Sequence, residues 1–398
     1  MSVSYAGPSF YKATFEEISR RFEASYPDIK IELRVPYATG EEVLSDLLRS
    51  KVTGGSADIA FLNMNYIGLL VERGIARPLD SIVQDRKELD SLGYYPSVLS
   101  LGTVAGKLYG VPFTASLPVL HVNVDLVEQA GGTVDNFPTT WGGIADLGRK
   151  IAALDSHPVG FTFQYDGGGN WGLNALITSA GGRMDGANGC GAGFNTPEGR
   201  WAFETLEMFH NKGVPAMSRD QASQAFAAGR LGISAASGAF TVGFEQQAKG
   251  KFRYVTLPFP MKSEAGTLPS GGFIAIIAAK DPEKQRAAWE YIKFATSPEG
   301  QAIMVKNVGY LPVSQAAVEA PDFLREYYKD RRNQANQLSQ MKHLSRWHSW
   351  PGKNGVKISS LIENHIDAVI GGTATAQQTV PKLVKGVEEM LPPCTAPN

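Results

Sequence analysis

The chain has 398 residues, 43% of them apolar and 19% charged. That suffices for two globular domains of roughly 150–200 residues each and is too apolar for extensive disorder. Its 38 basic and 39 acidic side chains leave a net charge of −1, without the basic excess a nucleic-acid binder carries. No apolar run reaches the ~18 residues of a membrane-spanning helix, and the longest, Phe273 to Ala279, has the length of a strand.

From the N-terminus, Met1 to Tyr5 contain neither the basic nor the apolar region of an export signal. This leaves two readings, a cytosolic protein or a mature secreted domain behind a start Met. Lys12 to Ser25 carries Phe15, Ile18 and Phe22 at helical spacing. Ile29, Ile31, Leu33 and Val35 alternate with Lys30, Glu32 and Arg34, which predicts a half-buried strand. Glu41 to Val52 reads as a helix and Asp58 to Leu62 as a short buried strand, and this alternation implies a mostly parallel sheet flanked by helices. Thr196-Pro197, Asp281-Pro282 and Ser297-Pro298 each set a capping residue before a Pro suited to the first helical position. Phe273 to Ala278 is a strand, Ser359 to Ile370 an amphipathic helix, and a last helix runs from about Ala376 to Leu391 with Pro381 in its first turns or at a kink.

Catalytic signatures are poor: no Gly-x-Ser-x-Gly, no His-Glu-x-x-His and no phosphate loop occurs. Gly167-x-Gly169-x-x-Gly172 matches a dinucleotide fingerprint by letters, but it follows Tyr165-Asp166 rather than a clear strand and is read as a loop. The six histidines are scattered, and His343 and His348 lack a zinc-ligand spacing. The cysteines, Cys190 and Cys394, have no second ligand nearby; a disulfide between them would need an oxidising compartment. Phe10-Tyr11, Tyr37, Tyr66, Trp171, Phe240, Trp347 and Trp350 stand in loops beside Gly, Ser or Asn. Flat rings flanked by small hydrogen-bonding groups suit a sugar, although each ring taken singly reads sooner as a core cap than as a ligand contact. A carbohydrate-active enzyme would need a carboxylate pair, for which Asp58, Asp125 and Asp166 are the candidates.

Several segments, in order along nearly the whole chain, resemble the family 1 extracellular solute-binding proteins of ABC importers. They include FEEISRRFEASYPDIKIEL (Phe15 to Leu33), ADIAFLN (Ala57 to Asn63), GKLYGVPFTASLPVLHVNVDLVEQAG (Gly106 to Gly131), AFAAGRLGISAASGAF (Ala225 to Phe240) and LPSGGFIAI (Leu268 to Ile276). The resemblance implies an α/β, two-lobed periplasmic-binding-protein fold of type II, each lobe a mostly parallel sheet flanked by helices, with ligand held in a cleft between lobes by hinge closure. It places lobe one at about 1–111 and 261–310 and lobe two at 112–260 and 311–398, with crossings near 112–118, 258–269 and 310–314. It implies a binding subunit rather than an enzyme, periplasmic and monomeric, without cofactor or metal and without affinity for nucleic acid. It would deliver a small carbohydrate or polyol to an ABC permease.

Tyr37, Ser116, Trp171, Ser237, Gly238, Gly271 and Gly272 fall on ligand-contact positions of the glycerol-3-phosphate-binding member of that family. Phe10, Asn63, Asn65, Arg346 and Trp350 complete the candidate ligand-binding set. The Ser-Gly pairs are expected to offer free backbone N–H groups. Near the C-terminus the chain departs from that member: Trp350 falls about where its phosphate-binding Arg lies. An aromatic there favours a neutral ring over glycerol-3-phosphate or a glycerophosphodiester, unless Arg346 or Lys353 supplies the charge.

Overall fold

The computed structural model describes residues 1–83, 86–166, 169–186 and 190–393. The chain divides into two compact units. The first comprises Met1–Ser116, Ser270–Leu338 and Ser345–Trp347; the second comprises Leu117–Pro269, Ser339–Leu344 and the chain from His348 onward. In chain order the strands of the two principal sheets are β1 (Ser2–Tyr5), β2 (Glu32–Leu33), β3 (Ile59–Asn63), β4 (Gly110–Pro112), β5 (Pro118–Asn123), β6 (Val159–Phe163), β7 (Leu231–Ser237), β8 (Tyr254–Pro258) and β9 (Phe273–Ile277). The helices of eight or more residues are α1 (Pro8–Ser25), α2 (Gly40–Thr53), α3 (Trp141–Ala152), α4 (Trp171–Ser179), α5 (Pro197–Asn211), α6 (Arg219–Ala227), α7 (Thr241–Ala248), α8 (Pro282–Thr296), α9 (Pro298–Val308), α10 (Gly355–Ile370) and α11 (Ala376–Glu388).

The first unit is built on a five-stranded sheet of order β2-β1-β3-β9-β4. β1 runs parallel to β2 and β3, and β9 antiparallel to β3 and β4. Its central strands are apolar on both faces, as expected where helices cover both sides. The helical spacing read in α1 has a direct outcome. Phe15 packs its ring 4.7 Å from Phe61 and 5.3 Å from Phe113, and Phe22 packs 5.1 Å from Tyr291 of α8. The strand expected over 29–35 is reduced to the two residues of β2. It lies at the sheet edge, where only one side finds a partner, and Val35 beyond it is 86% exposed.

Residues 311–338 cluster with this unit, whereas the resemblance placed them in the other lobe. Leu311 and Ala115 exchange two backbone hydrogen bonds (2.8 and 3.1 Å), and the Val313 amide donates to Oε1 of the buried Gln301 (2.7 Å).

The second unit carries a four-stranded sheet of order β8-β5-β7-β6, antiparallel except between β6 and β7, where the resemblance implied a mostly parallel sheet. Register pairs Thr162 with Ser234, Ser234 with His121, and His121 with Thr256, so these four side chains share one face across the sheet. All four are buried. The opposite face is aromatic, with Phe161 and Trp141 of α3 stacked at 6.2 Å. The caps placed before prolines form as read: Thr196, Asp281 and Ser297 each accept a backbone N–H at the start of α5, α8 and α9. Pro381 sits inside α11 on its exposed side, where its missing N–H leaves a carbonyl open to water. A strand, β6, does precede the Gly-rich stretch, and α4 follows it; Gly167 itself lies outside the described residues.

Candidate functional site

In the first unit the candidate residues collect at the carboxyl end of β1 and β3, where the chain turns into helices. Between β1 and α1, Gly7 takes φ 67° and no side chain caps the helix. The backbone of Tyr37 is paired there: its N–H donates to Tyr5 (3.1 Å) and its carbonyl accepts from Gly7 (2.9 Å). Partial burial and the neighbouring Asp46 carboxylate push the Tyr37 phenol pKa up. Phe10 lies in the first turn of α1, and its side chain is outside the described part of the structure. Asn63 ends β3 against the first residue of α2: a Cβ on Gly40 would stand 1.7 Å from Asn63 Oδ1, so only glycine admits this contact.

Asn65 follows in a 3-10 turn, buried, with its Oδ1 unmatched. Its amide donates to the Tyr66 phenol, and that phenol donates to Glu41 in the first turn of α2. Burial and the Glu41 carboxylate hold the Tyr66 pKa far above its ordinary value. Glu41 is a site candidate that sequence reasoning took only as the first residue of a helix.

Ser116 and Gly271 exchange backbone hydrogen bonds of 2.9 and 2.8 Å. Gly272 adopts φ 117°, and a Cβ there would lie 2.3 Å from the Thr114 carbonyl. Its own carbonyl accepts from Met64 (3.2 Å), which ties the Ser116–Gly271–Gly272 group to the Asn63–Asn65 turn. Arg346 is exposed, and its guanidinium donates to the Thr103 carbonyl (2.6 Å); no carboxylate pairs with it among the described residues.

In the second unit, β7 ends at Ser237. The Ser237 N–H donates to Gln164 Oε1 (3.2 Å), its carbonyl accepts from His121 Nε2 (3.0 Å), and its hydroxyl oxygen accepts from the Ala239 N–H (3.2 Å). The Gly238 N–H donates to Leu117 (2.9 Å) and the Gly271 N–H to Ser116. The free N–H groups expected at the Ser-Gly pairs are therefore taken up by the fold at Ser237, Gly238 and Gly271.

Trp171 opens α4 as a buried side chain whose indole N–H donates to the Pro269 carbonyl (3.0 Å). Trp350 is also buried, with its ring 5.9 Å from Phe194 and 4.5 Å from His348 and its indole nitrogen unmatched. Asn174 of α4 accepts from the His348 N–H (3.1 Å), which ties the segment carrying Trp350 to the helix that Trp171 opens.

The three carboxylates weighed for catalysis are engaged elsewhere. Asp58 accepts from the Ser2 N–H (2.8 Å) and pairs with Lys284, Asp125 pairs with Arg253 (2.6 Å), and Asp166 accepts from the Arg219 N–H (2.8 Å). Among the described residues no three His, Cys, Asp or Glu side chains gather to hold a metal, and no helix is long and apolar enough to cross a membrane. Cys394, and with it the disulfide considered for Cys190, lies outside the described residues.

Two α/β units linked by repeated crossings, with polar groups gathered at strand ends, define the class of two-lobed periplasmic binding proteins. The chain belongs to the bacterial extracellular solute-binding protein family, whose model matches residues 17–329. It is 24% identical over 403 aligned residues, 94% of this chain and 89% of the relative, to the sn-glycerol-3-phosphate-binding periplasmic protein UgpB of Escherichia coli. Its fold matches UgpB from Mycobacterium tuberculosis in complex with glycerophosphocholine (TM-score 0.84, 21% identity, 98% of each chain). It matches equally fully the cyclic alpha-maltosyl-1,6-maltose binding protein from Arthrobacter globiformis (TM-score 0.81, 22% identity, 98% of each chain).

Proposed function

We propose that this protein is the substrate-binding subunit of an ABC importer and takes a small, hydroxyl-rich solute, a carbohydrate or polyol. It acts outside the cytoplasm as a monomer, without catalysis, and hands its solute to a membrane permease. The observation that carries this reading is the chemistry of the strand-end groups in the first unit. Asn65, Tyr66 and Glu41 form a neutral-and-acidic hydrogen-bonding cluster next to Asn63, and Asn65 Oδ1 is buried without a partner among the described residues. An unmatched buried acceptor costs about 1–3 kcal/mol, which a solute hydroxyl would recover.

A second reading, a glycerophosphodiester, rests on Arg346. A guanidinium whose one bond among the described residues is to a carbonyl keeps donors for a phosphate oxygen. It draws support from the UgpB relatives in Escherichia coli and Mycobacterium tuberculosis.

Calorimetric titration with maltose, glycerol-3-phosphate and glycerophosphocholine separates the readings. Tightest binding of the neutral sugar supports the first. Tightest binding of glycerophosphocholine, lost on Arg346→Ala, establishes the second. Binding of none of them, together with release of an unrelated compound on denaturation, would overturn both.

A further inference from the structure

His121 lies in the middle of β5, fully buried, on the polar face of the second unit's sheet. Its register partner on β7 is Ser234, yet its Nε2 reaches along β7 to the last residue of the strand, the Ser237 carbonyl, at 3.0 Å. A carbonyl can only accept, so Nε2 carries the proton. In the neutral ring Nδ1 then holds a lone pair, and the Tyr254 phenol stands 2.7 Å away to donate to it. The Thr241 hydroxyl in turn hydrogen-bonds the Tyr254 oxygen. This is a closed circuit: Thr241 to Tyr254 to His121 to Ser237, with Ser237 and Thr241 at the two ends of one turn.

The turn is a 3-10 helix over Gly238–Phe240, closed by the Thr241 N–H donating to the Gly238 carbonyl. The Ser237 peptide is pinned from both sides, by Gln164 on its N–H and by His121 on its carbonyl. The Ser237 hydroxyl spends one lone pair on the Ala239 N–H, and its own proton has no acceptor among the described residues. That proton is left for a solute oxygen.

The ring around His121 is aromatic: Phe244 meets it edge-on at 4.9 Å, and Phe226 lies 6.2 Å away. A phenylalanine at this position would fill the space without burying a polar group, so packing alone does not account for an imidazole. Burial pushes its pKa down to about 4, which keeps the neutral ring in place at physiological pH.

We propose that His121 is a positioning residue of the solute site: as the Nε2–H tautomer it fixes both ends of the Ser237–Thr241 turn and so aims the Ser237 hydroxyl at the solute. The proposal rests on the reading that Ser237 touches solute, and its test is built to separate the two.

Histidine 15N spectra of the intact protein should show Nε2 protonated and Nδ1 bare. Amide exchange at Gly238 and Thr241 should quicken at least tenfold in His121→Phe, while Ile233, also on β7, keeps its wild-type rate. His121→Gln, which retains a donor and an acceptor, should restore slow exchange. Affinity for whichever of maltose and glycerophosphocholine the wild type binds should fall at least tenfold in His121→Phe and recover in His121→Gln. An Nδ1–H tautomer, or wild-type exchange in His121→Phe, overturns the proposal. Quickened exchange with unchanged affinity overturns the link to solute and removes Ser237 from the site. If the wild type binds neither probe, that counts against the solute assignment, and tautomer and exchange decide the role of His121 by themselves.

Discussion

Trp350 and His121 are two aromatic side chains of the second unit with opposite duties. Trp350 is held among Phe194 and His348, so its first consequence is stability. Trp350→Ala should cost about 3–5 kcal/mol in denaturant unfolding, the usual range for emptying a buried indole site. A loss below about 1 kcal/mol together with a large loss of solute affinity would instead make it a ligand platform.

His121 contributes to acid sensitivity. Its folded-state pKa, about 4, lies below the ordinary 6.5. Above pH 6.5 the ring is neutral whether folded or unfolded, and its contribution does not vary. Between about 6.5 and 4 the unfolded chain binds the proton and the native chain does not, so stability falls as pH falls, by up to about 1.4 kcal/mol per pH unit. The stability difference between wild type and His121→Gln should shrink across that window. A constant difference would mean that His121 titrates alike in both states.

Helix ends and strand ends differ in how far local sequence controls them. The start of α11 is closed by a capping box, in which Thr375 Oγ1 accepts from the Gln378 N–H (3.2 Å) and Gln378 Oε1 accepts from the Thr375 N–H (3.3 Å). Thr375→Ala should lower stability by about 1 kcal/mol, and Thr375→Ser should restore most of it in chemical unfolding. Caps of this kind are readable because donor and acceptor lie within three residues of each other. The same holds for Thr196, Asp281 and Ser297. β2 shows the limit: the alternation over 29–35 is genuine, but how much of it becomes strand depends on the neighbour across the sheet, and only Glu32–Leu33 finds one.

For the molecule as a whole, two compact units and membership of a solute-binding family lead to a measurable expectation. A solute at about 100 times its dissociation constant should raise the unfolding free energy by about 2.7 kcal/mol. If it also binds by hinge closure, X-ray scattering should give a smaller radius of gyration with solute than without. Stabilisation with an unchanged scattering curve would mean binding without closure.

Fold class, helix placement and family were legible from the sequence because each rests on local order: periodic apolar residues, caps beside prolines, and segments that keep their succession. The candidate site was legible only in part. Asn63, Asn65, Ser116, Gly271 and Gly272 could be named, and the structure draws them to one end of one sheet. The roles of the groups could not be named, because each depends on partners distant in sequence. The N–H groups of Ser237, Gly238 and Gly271 are consumed by Gln164, Leu117 and Ser116, and Glu41 gains meaning only beside Tyr66. Residues 311–338 join the first unit through Ala115 and Gln301, contacts that no local pattern encodes. The sequence by itself determined which elements form and to which family they belong. Tertiary structure alone decided which polar groups the chain itself pairs, because a hydrogen-bonding group is free only when every other part of the chain has left it so.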